Sequence, residues 1–335
     1  MHKSEIQEKL LGSKQIPTNV IEHIYNERWL QIWVPKIYGG LGLNFTNGLQ
    51  LLKQLAFIDG SLGWMVTLCA GANYFSRNLK PQIAHELFKD NFTCFGGSGA
   101  IGGTAEIKNN AFLINGRWVY ATGAPYLSHF TLNAVITKNN KPVLDAKGNE
   151  MIRSFIIPKD KVTIIEDWKA MGMQATGTFS FNVNNVLVDA DYSFIYNEFY
   201  TDAALDKIPF RIFADLTLLV NYIGMAAHFL DEAEKIRPQL DLSTFRNKLT
   251  TNEKQTYFYA DKIEMLLEHN KDISVEVQTE IHQFGETLVA NLSHQILDLY
   301  FQLGIKASHP SEPIQQIFRD YFTATQHANF RKEYC

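Results

Sequence analysis

Several stretches of this chain carry residue types that could do chemistry. The first runs from Asn115 to His129, Asn-Gly-Arg-Trp-Val-Tyr-Ala-Thr-Gly-Ala-Pro-Tyr-Leu-Ser-His. Phe112, Ile114, Val119 and Tyr120 favour extended backbone, and Asn115-Gly116 is a hairpin-turn signal. A strand ending in Tyr120-Ala121-Thr122-Gly123 offers an aromatic face, a hydroxyl and free backbone N–H groups close together. Those groups suit the edge of a flat heteroaromatic cofactor. In the second stretch, Trp168 to Thr178, Thr176 and Thr178 flank Gly177 just before a strand and supply hydroxyls without bulk; by itself this also reads as a turn. The third feature is His327, after Phe318-Arg319-Asp320-Tyr321 on a C-terminal helix. A histidine titrates near neutrality and can move a proton, although a lone one also serves as structure. Arg319-Asp320 reads as a local ion pair.

Two glycine-rich segments, Gly39 to Gly42 and Gly96 to Gly103, can expose N–H groups to a phosphate. Neither leads into the Lys-Ser or Lys-Thr of a Walker loop. Gly97-x-Gly99-x-x-Gly102 has loose dinucleotide spacing, but extended Thr104-Ala105-Glu106-Ile107 follows where a Rossmann fold needs a helix. Gly39 to Gly42 reads as an interdomain turn; Gly96 to Gly103 is either a ligand-lining loop or a structural one. His129, His228, His282 and His294 lack metal-ligand spacing, and no Ser-His-Asp set or cysteine nucleophile signature is visible.

The elements that must position these residues fall into three blocks. Residues 1–91 show helical periodicity, with a long helix or broken pair from Asn47 to Tyr74 that bends near Asp59-Gly60-Ser61. In residues 92–198 the period changes to short strands separated by polar turns, including a tight turn at Asn184-Asn185; this spacing predicts a compact β barrel or sandwich. Residues 199–335 return to helices: Ala203 to Ile236, one opened by a Thr250-x-x-Glu253 capping box, Ser274 to Leu303, and a last helix from Ser311-Glu312-Pro313 to about Phe330. The fold class is therefore α+β multidomain: an N-terminal helical domain, a middle β domain and a C-terminal helical bundle.

Composition narrows the function. The 335 residues are 46% hydrophobic, which allows a sizeable core, and the formal net charge of −4 gives no general attraction to nucleic acid. No run of about 20 apolar residues is present to span a membrane, and the polar N-terminus lacks a secretion signal. Cys69, Cys94 and Cys335 have neither zinc nor disulfide spacing. The chain reads as a cytoplasmic protein.

Taken together, these motifs resemble the acyl-CoA dehydrogenase superfamily over about Trp33 to His327. Val34-Pro35-x-x-Tyr38-Gly39-Gly40-Leu41-Gly42 and Asp59-Gly60-Ser61-Leu62-Gly63-Trp64 resemble its N-terminal markers. Asn115 to Ala124 resembles the strand whose end lies against the flavin ring, and Trp168-x-x-Met171-Gly172-Met173-x-x-Thr176-Gly177-Thr178 the second β-domain motif. Gly116-Arg117-Trp118 before Thr122-Gly123, and Ile317-Phe318-Arg319-Asp320 before Gln326-His327, are similar to the flavin-dependent hydroxylases of this fold, which take reduced flavin from a partner reductase and form a flavin hydroperoxide.

The resemblance implies a flavin-dependent oxidoreductase using FAD or FMN, with Tyr120, Thr122, Gly123, Thr176 and Thr178 at the ring, Thr122 near its N5/O4 edge and His327 catalytic. It implies a small-molecule substrate, acyl-CoA or an aromatic or hydrophobic compound, and a homodimer or homotetramer. The dehydrogenase branch needs a glutamate base, for which only Glu232 or Glu234 is at hand. The family's usual arginine is Gln at position 174, and its Arg-x-x-x-Phe-Gly signature is reduced to Phe245-Arg246, leaving Arg246 to reach a flavin phosphate, across a subunit interface. Those departures motivate an alternative: a flavin-free member kept as a binding or assembly module.

Overall fold

The computed structural model describes residues 1–331, so Cys335 lies outside the described residues. Five helices come first: α1 (Lys3–Leu10), α2 (Thr18–Asn26), α3 (Phe45–Ile58), α4 (Gly60–Asn73) and α5 (Pro81–Leu87). Eight strands follow: β1 (Phe95–Lys108), β2 (Ala111–Ala121), β3 (His129–Lys138), β4 (Lys141–Pro142), β5 (Ile152–Pro158), β6 (Thr163–Ile165), β7 (Phe179–Asp189) and β8 (Ser193–Phe194). Helices α6 (Phe210–Ile236), α7 (Ser243–Glu268), α8 (Val275–Leu303) and α9 (Pro313–Ala324) complete the chain. The helix, sheet, helix order is the expected one.

The strands form one sheet in the order β6-β7-β2-β1-β3-β5-β8, with β4 paired to β3. Phe112 on β2 and Phe155 on β5 have ring centroids 5.2 Å apart, and Phe130 on β3 and Phe181 on β7 are 4.7 Å apart. Each pair is separated by three strand spacings, about 14 Å in a flat sheet. The sheet therefore curls around an aromatic core completed by Trp118, which stacks on Phe181.

Several local expectations change. The hairpin between β1 and β2 turns at Asn109-Asn110, where Asn109 takes φ 55°, and not at Asn115-Gly116. Nor does the chain turn at Asn184-Asn185, which lies inside β7. These two signals face each other as a bulge: the register slips between Ile114 and Gly116, and the Asn185 N–H donates to Asn115 Oδ1 at 2.7 Å. Two strong turn formers placed opposite each other satisfy one another across a ladder instead of ending it. Gly96 to Gly103 is not a loop but part of β1. A Cβ at Gly97 would sit 1.7 Å from the Thr131 carbonyl oxygen, and one at Gly102 2.3 Å from the Arg117 carbonyl oxygen, so these two positions need glycine.

Among the helices, the break at Asp59 is as expected: its carboxylate caps α4 by accepting the Leu62 N–H at 2.8 Å. The Thr250 capping box is not used. Helix α7 begins at Ser243 and Thr250 lies within it, bonding back to the Arg246 carbonyl, a mid-helix role open to any threonine. Helix α6 is central and packs on α3, α8 and α9; 89% of its most apolar window is buried in the protein.

Candidate functional site

Three threonine hydroxyls meet where β2 ends and β7 begins. Thr122 Oγ1 lies 3.1 Å from Thr178 Oγ1, which lies 2.7 Å from Thr176 Oγ1, and the Thr176 hydroxyl donates to the Met173 carbonyl at 2.8 Å. The Gly123 N–H donates to the Thr176 carbonyl at 2.8 Å and locks the two strand ends together. Thr176 is sealed, whereas Thr122 and Thr178 retain 6% and 8% exposure, so the cluster opens at those two residues. Gly123 and Gly177 both take left-handed backbone (φ 80° and 55°), and neither has room for a Cβ, which would meet Cys69 Sγ at 2.8 Å and Pro125 Cδ at 2.6 Å. The structure thus brings together Thr122, Gly123, Thr176 and Thr178. Tyr120 behaves differently: it occupies a second bulge at φ 63°, is 69% exposed, and meets only the edge of Trp168 at 6.4 Å.

The 171–178 loop is held by α9. Arg319 Nη1 donates to the Met171 carbonyl (2.8 Å), the Gly172 N–H donates to Thr323 Oγ1 (3.0 Å), and the Met173 N–H donates to Asp320 Oδ1 (2.5 Å). Arg319 and Asp320 therefore do not form the local ion pair expected of them. Adjacent residues on a helix point about 100° apart, and each reaches a different loop atom. Asp320 is the site residue that sequence reasoning missed. Its signal was present: it sits beside the buried stripe Ile314, Ile317, Tyr321 and Ala324, where an acid needs a reason to be. Gln174, in place of the arginine, bonds only within the loop, to the Ala170 carbonyl.

Asp320 Oδ2 is buried without a partner, and buried Asp59 is its acidic neighbour. Burial, then repulsion by Asp59, raises the Asp320 pKa well above the usual carboxylate range; burial raises that of Asp59 as well. A folded-state pKa raised above the unfolded value means that the folded protein binds the extra proton. Stability from this pair is full below the unfolded pKa and is lost as pH rises through the folded one. Asp320→Asn keeps the acceptor for Met173 without the titration. It is expected to flatten the pH dependence of the melting temperature above about pH 4, with the largest gain over the parent at alkaline pH. Parallel melting curves across that range would refute this assignment.

Helix α4 connects the cluster to His327. Cys69 Sγ would lie 2.8 Å, and Met65 Cγ 3.5 Å, from a Cβ on Gly123, so this helix face abuts the strand end. Trp64, on the same helix, meets His327 edge-on at 5.5 Å. His327 is not on α9: the Tyr222 hydroxyl donates to the Ala324 carbonyl (2.8 Å), the chain tightens into three-residue turns, and the helix ends there. The imidazole is exposed in the single chain, yet the protein around it lowers its pKa below the ordinary histidine value by desolvation. Arg246 is on α7, paired with Glu234 at 3.0 Å and partly exposed; no contact links it to the threonines. Of the candidate glutamate bases, Glu234 is held by that arginine. Glu232 lies between His228 and Lys235, and its pKa is lowered, first by the His228 hydrogen bond, which makes it a poorer base.

A cluster of hydroxyls at two strand ends fits the hydrogen-bonding edge of a flavin ring. Arg246, the residue expected at the phosphate, is turned to Glu234 within this chain. The fold is that of the acyl-CoA dehydrogenase-like flavin monooxygenases, as solved structures show: the chain superposes on the HsaA monooxygenase from M. tuberculosis with a TM-score of 0.87, at 19% identity over 98% of this chain and 92% of that one. XiaF from Streptomyces sp., solved with FADH2 and glycerol, gives a TM-score of 0.86 at 17% identity, covering 98% and 89%. Among curated relatives, the indole-3-acetate monooxygenase of Pseudomonas putida is 24% identical over 94% of this chain and 84% of its own length. The oxygenase subunit HsaA of Mycobacterium tuberculosis is 20% identical over 94% and 85%. No family model matches the chain.

Proposed function

We propose that this protein is a flavin-dependent monooxygenase, the oxygenase component of a two-component system, acting on a hydrophobic aromatic compound with reduced flavin supplied by a separate reductase. One observation carries the reading: relatives that match nearly the whole chain are monooxygenases, and at the strand end where such a fold would hold its flavin this chain assembles three hydroxyls beside two tightly packed glycine turns. A dibenzothiophene monooxygenase of the same fold was solved with FMN and indole, which supports both the cofactor class and an aromatic substrate. The dehydrogenase reading loses its base, because Glu232 and Glu234 are both engaged by cations. The non-catalytic alternative is not favoured, since Gln174 is absorbed by the loop without disturbing the hydroxyl cluster.

Reduced flavin supplies the reaction with dioxygen. The chain's own residues orient and shield it. Thr122 and Thr178 would bond the ring edge, and Tyr120 with Trp168 would form an aromatic rim beside it. Met65 and Cys69, one turn apart on α4, present an apolar face to the strand end that would exclude water from that side of the site. His327, neutral at pH 7, takes a proton from the substrate at its ring nitrogen. A homodimer or homotetramer would bring Arg246 to a flavin phosphate of a neighbouring subunit.

Absorption spectra of the purified protein titrated with FMN and FAD test the cofactor. Anaerobic loading with reduced flavin, followed by oxygen and an indole-type aromatic, tests the reaction through a product heavier by one oxygen atom. No uptake of either flavin at high micromolar concentration would sink the reading. Bleaching of the oxidised flavin by an acyl-CoA thioester would point back to a dehydrogenase.

A further inference from the structure

Each hydroxyl owns a single proton, and that fixes the direction of the threonine cluster. A carbonyl oxygen can only accept, so the Thr176 proton is committed to Met173. The proton in the 2.7 Å contact between Thr176 and Thr178 must then come from Thr178, and the one in the 3.1 Å contact between Thr178 and Thr122 must come from Thr122. The relay runs from Thr122 to Thr178 to Thr176 to the Met173 carbonyl. Its inner end is rigid. Met173 takes φ 53°, its N–H is held by Asp320, and its carbonyl also accepts the Trp168 indole N–H at 2.8 Å. At the open end, neither Thr122 nor Thr178 has a proton left for an outside acceptor; both can only accept.

We propose that Thr176, which never reaches the surface, sets the redox preference of the site by forcing Thr122 to present an acceptor. This rests on the reading of Thr122 as a ring-edge residue. The reduced isoalloxazine carries a hydrogen at N5 that an acceptor bonds, whereas the oxidised ring carries a lone pair there, which faces an oxygen with no proton to offer. One hydrogen bond gained in one state and an unsatisfied pair in the other amount to about tenfold or more in affinity. Thr176 is thus a positioning residue and acts only through its neighbours.

The test is anaerobic titration of the protein with reduced and with oxidised FMN and FAD, followed by absorbance and fluorescence. Reduced flavin is expected to bind about tenfold or more tightly than oxidised. Thr176→Val frees the Thr178 proton, so the relay can reverse and Thr122 can donate outward; the ratio of affinities is expected to collapse toward one, chiefly through tighter binding of the oxidised form. Thr176→Ser retains the inner hydroxyl and is expected to keep the parent ratio. Thr122→Val is expected to weaken the reduced form alone, and melting temperatures check that each variant is folded. Equal affinity for both redox states in the parent, or an unchanged ratio in folded Thr176→Val, would overturn the proposal. Failure to bind either flavin in either state overturns the flavin reading itself, and the relay's role with it.

Discussion

Replacing His327 with alanine is expected to lower turnover by about 10²- to 10⁴-fold, the range over which a positioned acid or base acts, while reduced-flavin affinity stays within a few-fold of the parent. The two effects separate because His327 touches Trp64 and not the threonine cluster. Desolvation holds its pKa below the ordinary value of about 6.5, so the neutral, proton-accepting imidazole predominates at pH 7. As pH falls through that lowered pKa the base is lost, and the parent's rate is expected to drop along an acid limb lying below pH ~6.5. His327→Ala is expected to abolish that limb as well as the rate. His327→Gln, which keeps the size and hydrogen bonding without the titration, is expected to behave like the alanine. Parent-like turnover in His327→Ala, or an acid limb that survives in it, would remove this residue from the mechanism.

Gly172→Ala is the second large effect. A Cβ there would lie 2.2 Å from the Arg319 carbonyl oxygen and 2.5 Å from the Asp320 nitrogen, both backbone atoms of α9 that no rotamer change can move. The loop must lift from the helix. It then loses its bonds from Met171, Gly172 and Met173 to Arg319, Thr323 and Asp320. Overpacking and unmade buried hydrogen bonds together are expected to cost about 3 kcal/mol or more. Flavin affinity should fall with stability, because Thr176 and Thr178 ride on the same loop. Gly99→Ala is the control: nothing lies within 4 Å of a Cβ at that position, and it should be silent. Denaturant unfolding paired with flavin titration checks both variants; a Gly172→Ala protein with parent stability would mean that α9 does not hold the loop.

Much of this candidate site is legible in the sequence. Thr122, Thr176 and Thr178 are marked by their own neighbours: each is a hydroxyl next to a glycine at a strand end, whatever burial the fold then gives it. The bend near Asp59 and the helix from Ser274 to Leu303 obey local rules, and each lies where it is expected, with Asp59 and Ser274 as the capping residues. The errors share a cause. Asn115-Gly116 and Asn184-Asn185 carry turn chemistry, yet each was absorbed as a bulge because the other stood opposite it in the ladder. Arg319 and Asp320 look like a pair in sequence and act as two separate clamps, because α9 lies along a loop almost 150 residues earlier. His327 lies beyond α9, where the chain tightens into three-residue turns and the Ala324 carbonyl accepts both the His327 N–H and the Tyr222 hydroxyl.

By itself, the sequence determined the order of helical and extended segments, the small hydroxyl-bearing strand ends and the histidine near the C-terminus, since these depend on propensity, period and turn chemistry within a few residues. The tertiary structure decided which groups meet and in which direction they hydrogen-bond. Whether Thr122 donates or accepts depends on the carbonyl of Met173, the residue whose N–H a buried acid on α9 holds. Proton direction is a property of the closed chain of contacts, and no segment of the sequence holds that information alone.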